Sequence, residues 1–465
     1  MLFTSIDFLI FFALLLAVLA CVRDPRARQA VVLAASYVFY AAWDWRLLSL
    51  LWACSLWNWA LAIRIEDART EAGRRTALWL AVALNIAALG YFKYAGFFVQ
   101  SFTSLFHLRS EGALKIILPL GISFFTFQGV AYVADVYRRA HAPVRSLPDF
   151  LFFKAFFPQL IAGPIVRAGQ FMPQIERGLR FRPEMIASGA QAFLLGALTK
   201  LVFADNLAVC ADQVFARPGM YDAPTLWLGL LSYAGQIYCD FFGYSMMAIG
   251  LARILGYRLP MNFRMPYVSR SIQEFWRRWH ITLSNWLRDY LYISLGGSRR
   301  GDFATYGNLL LTMLIGGLWH GASWTFVLWG GLHGLALVIN RLWPKPLLGG
   351  TAAGSVLGWA LNFAFVTLAW LPFRAHDFGS VVVYLTGLVG IGGGRADWMY
   401  APALVVLGLL AVWHLAYVLA PEFKKRQVVF RRWDGFAAVG ANLAAVAAIA
   451  LYAPLDQTPF IYFQF

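Results

Sequence analysis

The sequence has little charge, and least of all acidic charge. Of its 465 residues only 13% are charged, and 23 are Asp or Glu. A soluble globular chain carries about 25% charged residues. Too little polar surface is present for a water-facing shell, which excludes a cytosolic enzyme. A disordered chain is excluded as well, because 60% of the residues are hydrophobic and 17% aromatic. Cysteine is scarce. The four are Cys21, Cys54, Cys210 and Cys239, none at Cys-x-x-Cys spacing and all in or beside apolar runs. They read as buried thiols, with no disulfide framework and no zinc site. The first apolar run has no Lys or Arg before it and contains Asp7, so the basic region of a secretory signal is missing. Val18-Leu19-Ala20-Cys21 only loosely resembles a lipoprotein cleavage box, and residues 1–22 read as a retained helix. The sequence also lacks a G-x-S-x-G elbow, a Walker A loop, an H-E-x-x-H pair and any metal-ligand spacing.

What is present is a nearly unbroken series of apolar runs: 8–22, 29–43, 47–63, 77–92, 115–134, 184–203, 224–252, 303–319, 323–342, 355–372, 379–391, 400–420 and 436–454. A spanning helix needs about 20 apolar residues. The shortest run, 379–391, suits a re-entrant element. The net charge of +16 comes from basic residues clustered between runs, the pattern that sets membrane topology. Arg23, Arg26 and Arg28 follow the first run, which puts the N-terminus outside. Lys424, Lys425, Arg426, Arg431 and Arg432 precede the last run, and only Asp456 is charged after it, so the C-terminal tail is outside too. Both ends outside require an even number of crossings. The expected fold is an all-α polytopic transmembrane bundle of about twelve crossings, a single membrane domain over 1–465 with 455–465 as an extracytoplasmic aromatic tail.

Two segments break the spanning pattern. Residues 150–166 are apolar but contain Pro158, Gly163 and Pro164, which suits a re-entrant element. Residues 272–293 carry Glu274, Arg277, Arg278, His280, Arg288 and Asp289, too much charge for a lipid-facing span. They read as one interfacial or re-entrant amphipathic helix, with Trp276, Trp279 and Trp286 at headgroup level and Trp276, His280 and Ser284 on one face.

His320 stands out within Gly316-Gly317-Leu318-Trp319-His320-Gly321. An ionisable residue inside a membrane domain is a functional candidate, and imidazole suits a general base near neutral pH. The flanking glycines admit a close-packed backbone or a ligand. The other reading is a structural histidine hydrogen-bonded between helices. His280 is the second candidate, with a snorkelling interfacial side chain as its alternative. His333 lies thirteen residues past His320, and on one continuous helix the two are about 20 Å apart, so they are not expected to work as a pair. Basic clusters on the cytoplasmic side suit an anionic donor such as coenzyme A.

At these residues the sequence resembles the membrane-bound O-acyltransferase family, in its bacterial alginate O-acetylation branch. The resemblance rests on LPLGISFFTFQGVAYVADVYR (118–138), FFPQLIAGPIVR (156–167), EFWRRWHITLSNWLRDYLYISLGGSR (274–299) and GGLWHGASWTFVLWGGLHG (316–334). It implies transfer from a cytoplasmic acyl thioester to an extracytoplasmic hydroxyl through a central channel that re-entrant helices form. The family's catalytic histidine falls on His320 and its second signature histidine on His280. At 240–250 the chain reads DFFGYSMMAIG, with Phe242 and Met246 where that branch has serine and aspartate. The resemblance therefore reaches acyl transfer rather than alginate in particular. It implies acetyl-CoA as donor, no permanently bound cofactor, and a polysaccharide acceptor served through a periplasmic or secreted acetyltransferase partner, in the bacterial inner membrane. An acyl-carrier protein donor, a lipid acceptor and a transporter without chemistry are the alternatives. The indole of Trp319 and the amide of Asn285 are candidate oxyanion donors. The tail Pro459-Phe460-Ile461-Tyr462-Phe463-Gln464-Phe465 resembles the terminus of a small partner protein of the related D-alanylation system. The likeness implies that Tyr462 is an acyl relay. An interfacial aromatic anchor is the other reading of the same residues.

Overall fold

A backbone in lipid must satisfy its own hydrogen bonds, so apolar runs of this length become helices. A computed structural model of the chain describes residues 1–106, 116–161, 163–343, 351–420, 436–454 and 459–461. Among them there is no β-strand. The helices are α1 (Ile6–Cys21), α2 (Pro25–Asp44), α3 (Leu48–Asp67), α4 (Glu71–Leu89), α5 (Ala95–Leu105), α6 (Ile122–Tyr137), α7 (Leu147–Ala155), α8 (Phe157–Leu160), α9 (Ala168–Ile175) and α10 (Pro183–Leu198). They continue with α11 (Asp205–Ala216), α12 (Ala223–Ile254), α13 (Ile272–Arg278), α14 (Ile281–Trp286), α15 (Asp302–His320), α16 (Trp324–Leu342), α17 (Ala352–Arg374), α18 (Phe378–Leu388), α19 (Ala401–Leu419) and α20 (Phe436–Tyr452). Six helical stretches among the described residues are long and apolar enough to cross a membrane, including Pro25–Asp67, Pro183–Ala216 and Ala401–Leu419. The expectation of about twelve crossings also counts shorter apolar helices, such as α1 and α20.

The chain forms two compact units, residues 1–189 with 248–260, and residues 190–247 with 261–465. In the first, α3 and α4 are tied by a buried reciprocal pair. Asn58 Nδ2 donates to Asn85 Oδ1 at 3.2 Å, and Asn85 Nδ2 donates to Asn58 Oδ1 at 2.9 Å. Polar pairs of this kind hold helices together where no hydrophobic force between them acts. In the apolar segment 150–166, α7 and α8 meet at a break at Phe156 and are buried from Phe152 to Leu160. Their irregular backbone is covered by protein: Phe157 N–H donates to Ser36 Oγ at 3.2 Å. The run at 115–134 becomes helical only at Ile122, because Pro119 and Gly121, at φ 73°, start the chain in non-helical geometry.

In the second unit the expectation of one helix over 272–293 is corrected. The chain breaks at His280, whose φ of 40° is left-handed, and α13 and α14 lie on either side. Trp276, His280 and Ser284 therefore do not share one helical face. Trp276, Trp279 and Trp286 are buried inside the protein rather than exposed on its surface. The charge that excluded a lipid-facing span is met locally, by Arg278–Glu274 at 2.8 Å and Arg288–Asp289 at 2.6 Å.

Candidate functional site

The site is built on a helical hairpin, the broken segment at His280, and α12. Glycines make the hairpin. A Cβ on Gly317 would lie 2.2 Å from Phe326 O, and one on Gly330 would lie 2.3 Å from Met313 O. Only glycine lets α15 and α16 run antiparallel this closely. Of the glycines around His320, Gly317 serves the backbone approach, while Gly316 and Gly321 face the side chains of Leu287 and Phe326. His320 is the last residue of α15 and is buried. Its ring meets Trp319 at 4.9 Å between centroids, Trp329 at 5.0 Å and Phe373 at 5.1 Å.

His280 lies in the same cluster. Its ring is 6.2 Å from that of Trp319 and 4.6 Å from that of Phe241, edge-on at 88°. Stretches of chain on either side of the break are pinned to 262–264: Ile281 N–H donates to Asn262 O at 2.9 Å and Arg264 N–H to Arg278 O at 3.0 Å. The Asn262 side chain then fixes the imidazole. Its Oδ1 accepts from Thr282 N–H at 3.2 Å and Thr282 Oγ1 at 2.9 Å, and lies 3.1 Å from His280 Nδ1. A carbonyl oxygen can only accept, so Nδ1 carries the proton and Nε2 presents its lone pair. Nε2 has no hydrogen-bond partner among the described residues and is buried. Burial lowers the His280 pKa, which keeps the ring neutral. This is the tautomer and charge state of a proton acceptor.

On sequence spacing alone His333 is too distant to join them. The break at Gly321–Ser323 turns the chain back, and His333 packs 4.6 Å from Trp329, the ring that also flanks His320. The Trp319 ring lies between those of His280 and His320, and Asn285 is half-buried on α14. Tyr462 lies outside the described residues.

A second buried group escapes the sequence reading. α10 and α12 cross backbone to backbone, and a Cβ on Gly196 would meet Gly243 O at 2.5 Å. Beside this crossing a π-helical turn, Thr199–Ala204, follows α10. Its i→i+5 geometry brings Lys200 and Asp205 to one side. Lys200 Nζ pairs with Asp205 Oδ1 at 2.6 Å and with Asp240 Oδ1 of α12 at 2.8 Å. All three are buried. The available signal is an ionisable pair inside apolar runs, the same signal that singles out His320. Phe242 and Met246, the two departures on α12, are buried, and Phe242 packs its ring 5.7 Å from that of Trp413.

The end of the chain arrives at this place. Asn206 Nδ2 donates to Tyr452 O at the end of α20, at 2.9 Å. Phe460 stacks on Tyr244 at 4.5 Å and lies 5.7 Å from Phe241. Ile461 N–H donates to Asp240 Oδ2 at 2.7 Å. A separate cavity of about 660 Å³ in this unit is lined by Tyr238, Tyr267, Trp359, Phe363, Leu410 and His414, and neither His280 nor His320 lines it.

The sequence model of the membrane-bound O-acyltransferase family matches residues 138–371. Over the whole of both chains the protein is 44% identical to the probable alginate O-acetylase of Pseudomonas putida. It is 39% identical to the peptidoglycan O-acetyltransferase of Helicobacter pylori, over 80% of this chain and 76% of that one. A more distant relative, 27% identical over 57% of this chain and 70% of its own, is the teichoic acid D-alanyltransferase of Bacillus subtilis.

Proposed function

The chain belongs to the membrane-bound O-acyltransferase family, and from that premise we propose that it carries acetyl groups from cytoplasmic acetyl-CoA to an extracytoplasmic polysaccharide. It is an acyltransferase and a multi-pass protein of the bacterial inner membrane. Residues 1–465 act in this reading as one catalytic domain, with 455–465 as its carrier tail.

One observation carries the reading: the two signature histidines and the C-terminal segment converge on a single buried aromatic cluster. From Phe460 the rings run through Phe241 to His280, Trp319 and His320. His320 takes the phenolic proton of Tyr462 as that oxygen attacks the thioester carbonyl. The tetrahedral intermediate collapses, the C–S bond breaks, and the leaving thiolate recovers the proton from the imidazolium. Trp319 and Asn285 supply N–H donors to the oxyanion. His280, held by Asn262, offers Nε2 to orient the second hydroxyl, the one that takes the acetyl group from the tyrosyl ester, so each transfer has its own proton acceptor. A phenol has a pKa of about 10 and a thiol about 8.5, so the acetyl group moves onto tyrosine without a prohibitive rise in energy. The aryl ester is still activated enough for a sugar hydroxyl to take the acetyl group, directly or through an extracytoplasmic acetyltransferase partner, and the phenol is regenerated. Burial in an aromatic cluster keeps water from the ester.

Replacing His320 with Ala removes the base. Such losses cost about 10²–10⁴-fold in rate. Polymer acetylation in the His320→Ala strain is expected near background at wild-type membrane levels. Acetylation above about a tenth of wild type would overturn the assignment and favour a transporter. His280→Ala is expected to be impaired as well.

A further inference from the structure

We infer that Asp240, held by Lys200, is a docking latch for the C-terminal tail, gripping it by its backbone. The Lys200–Asp205–Asp240 cluster sets one ammonium between two carboxylates, all buried. Within this trio the carboxylate charges outnumber the cation, and a buried carboxylate is stabilised by N–H donors. The two oxygens of Asp240 divide the work: Oδ1 faces Lys200 Nζ at 2.8 Å and Oδ2 accepts the Ile461 amide at 2.7 Å. Lys200 thus fixes the rotamer that aims Oδ2 at the tail.

The latch is a built site. It has a charged acceptor, and it has an apolar seat in which Phe460 and Ile461 are both buried, with Phe460 stacked on Tyr244. Because the bond is made to a backbone amide, it holds the segment in register whatever that segment's side chains are. The register matters for the next residue, which is Tyr462. The ring beside Phe460 is Phe241, which meets His280 at 4.6 Å. Asp240 is therefore a positioning residue for the relay. The consequence for activity rests on the proposed role of Tyr462; the latch itself does not.

The direct readout is amide hydrogen exchange of the C-terminal peptide, 459–465, from the full-length protein in lipid nanodiscs. In Asp240→Ala the Ile461 amide is expected to exchange about tenfold faster or more, the weight of a hydrogen bond to a charged acceptor. Peptides from α16 should stay as in wild type, since removal of Asp240 leaves Lys200 paired with Asp205. Unchanged exchange at Ile461 in a folded Asp240→Ala protein would overturn the latch. Ile461→Pro removes the donor from the other side without touching the buried charges. Both variants should lose about tenfold in polymer acetylation, and the double variant should be no worse than either one, because they break the same bond. Fully additive losses would also overturn the latch. Tyr462→Phe separates the two readings. If it abolishes acetylation with exchange unaltered, the relay stands apart from the latch. If it keeps full activity the relay fails, while exchange in Asp240→Ala still decides the latch.

Discussion

At the scale of single residues, the proposed chemistry turns on how one imidazole is held. Asn262 supplies an uncharged acceptor to His280 Nδ1, so the ring stays neutral and Nε2 stays open. Asn262→Asp keeps an acceptor in place but adds a carboxylate, which favours the imidazolium and raises the pKa that burial had lowered. The neutral, proton-accepting form is then lost below a higher pH. The acid limb of the pH–rate profile should move upward, while activity at alkaline pH stays near wild type. An unmoved acid limb would mean that His280 takes no part in proton handling. His320 and His280 are legible from sequence as candidates, because ionisable residues within a membrane domain stand out. Asn262 is not legible. It sits in a short stretch, Met261-Asn262-Phe263, and nothing in its spacing marks it as the partner of a residue eighteen positions later. Lys200 and Asp240 satisfy the rule that singles out His320, but no motif draws them together; only the crossing of α10 and α12 does.

At the scale of elements, helix periodicity locates the apolar runs well and their interruptions poorly. Runs 303–319 and 323–342 match α15 and α16 closely. Distance along an imagined continuous helix nevertheless misjudges His333, since the turn at Gly321–Ser323 sends α16 back along α15. The break at His280 carries no proline or glycine; it is imposed by tertiary pairing of 262–264 with 278–281, which no local pattern encodes. Glycine spacing does encode the hairpin. Gly317→Ala sets a Cβ 2.2 Å from a backbone oxygen that cannot rotate away. Overpacking of this kind costs roughly 1–3 kcal/mol. The purified variant should melt at a lower temperature than wild type, whereas Gly307→Ala on the same helix, where a Cβ meets nothing within 4 Å, should not. Equal melting of the two variants would count against the close-packed hairpin.

For the whole molecule, composition settles the class before any motif is read: 13% charge and 60% hydrophobic residues leave no shell for water. The clustering of basic residues sets orientation, and orientation decides whether a carrier tail can work at all. A cysteine introduced at position 456 should react with a membrane-impermeant thiol reagent from outside, and one at position 426 should not. The reverse pattern would put the tail on the donor side. In the proposed mechanism, acetyl passes from a cytoplasmic thioester onto the tail under His320. The most direct measurement is a mass spectrum of the C-terminal peptide after the protein in nanodiscs has been given isotopically labelled acetyl-CoA. A labelled acetyl group is expected on Tyr462 in wild type and none in His320→Ala. A preparation that acetylates polymer while the tail stays unlabelled, or a His320→Ala tail labelled as fully as wild type, would contradict it.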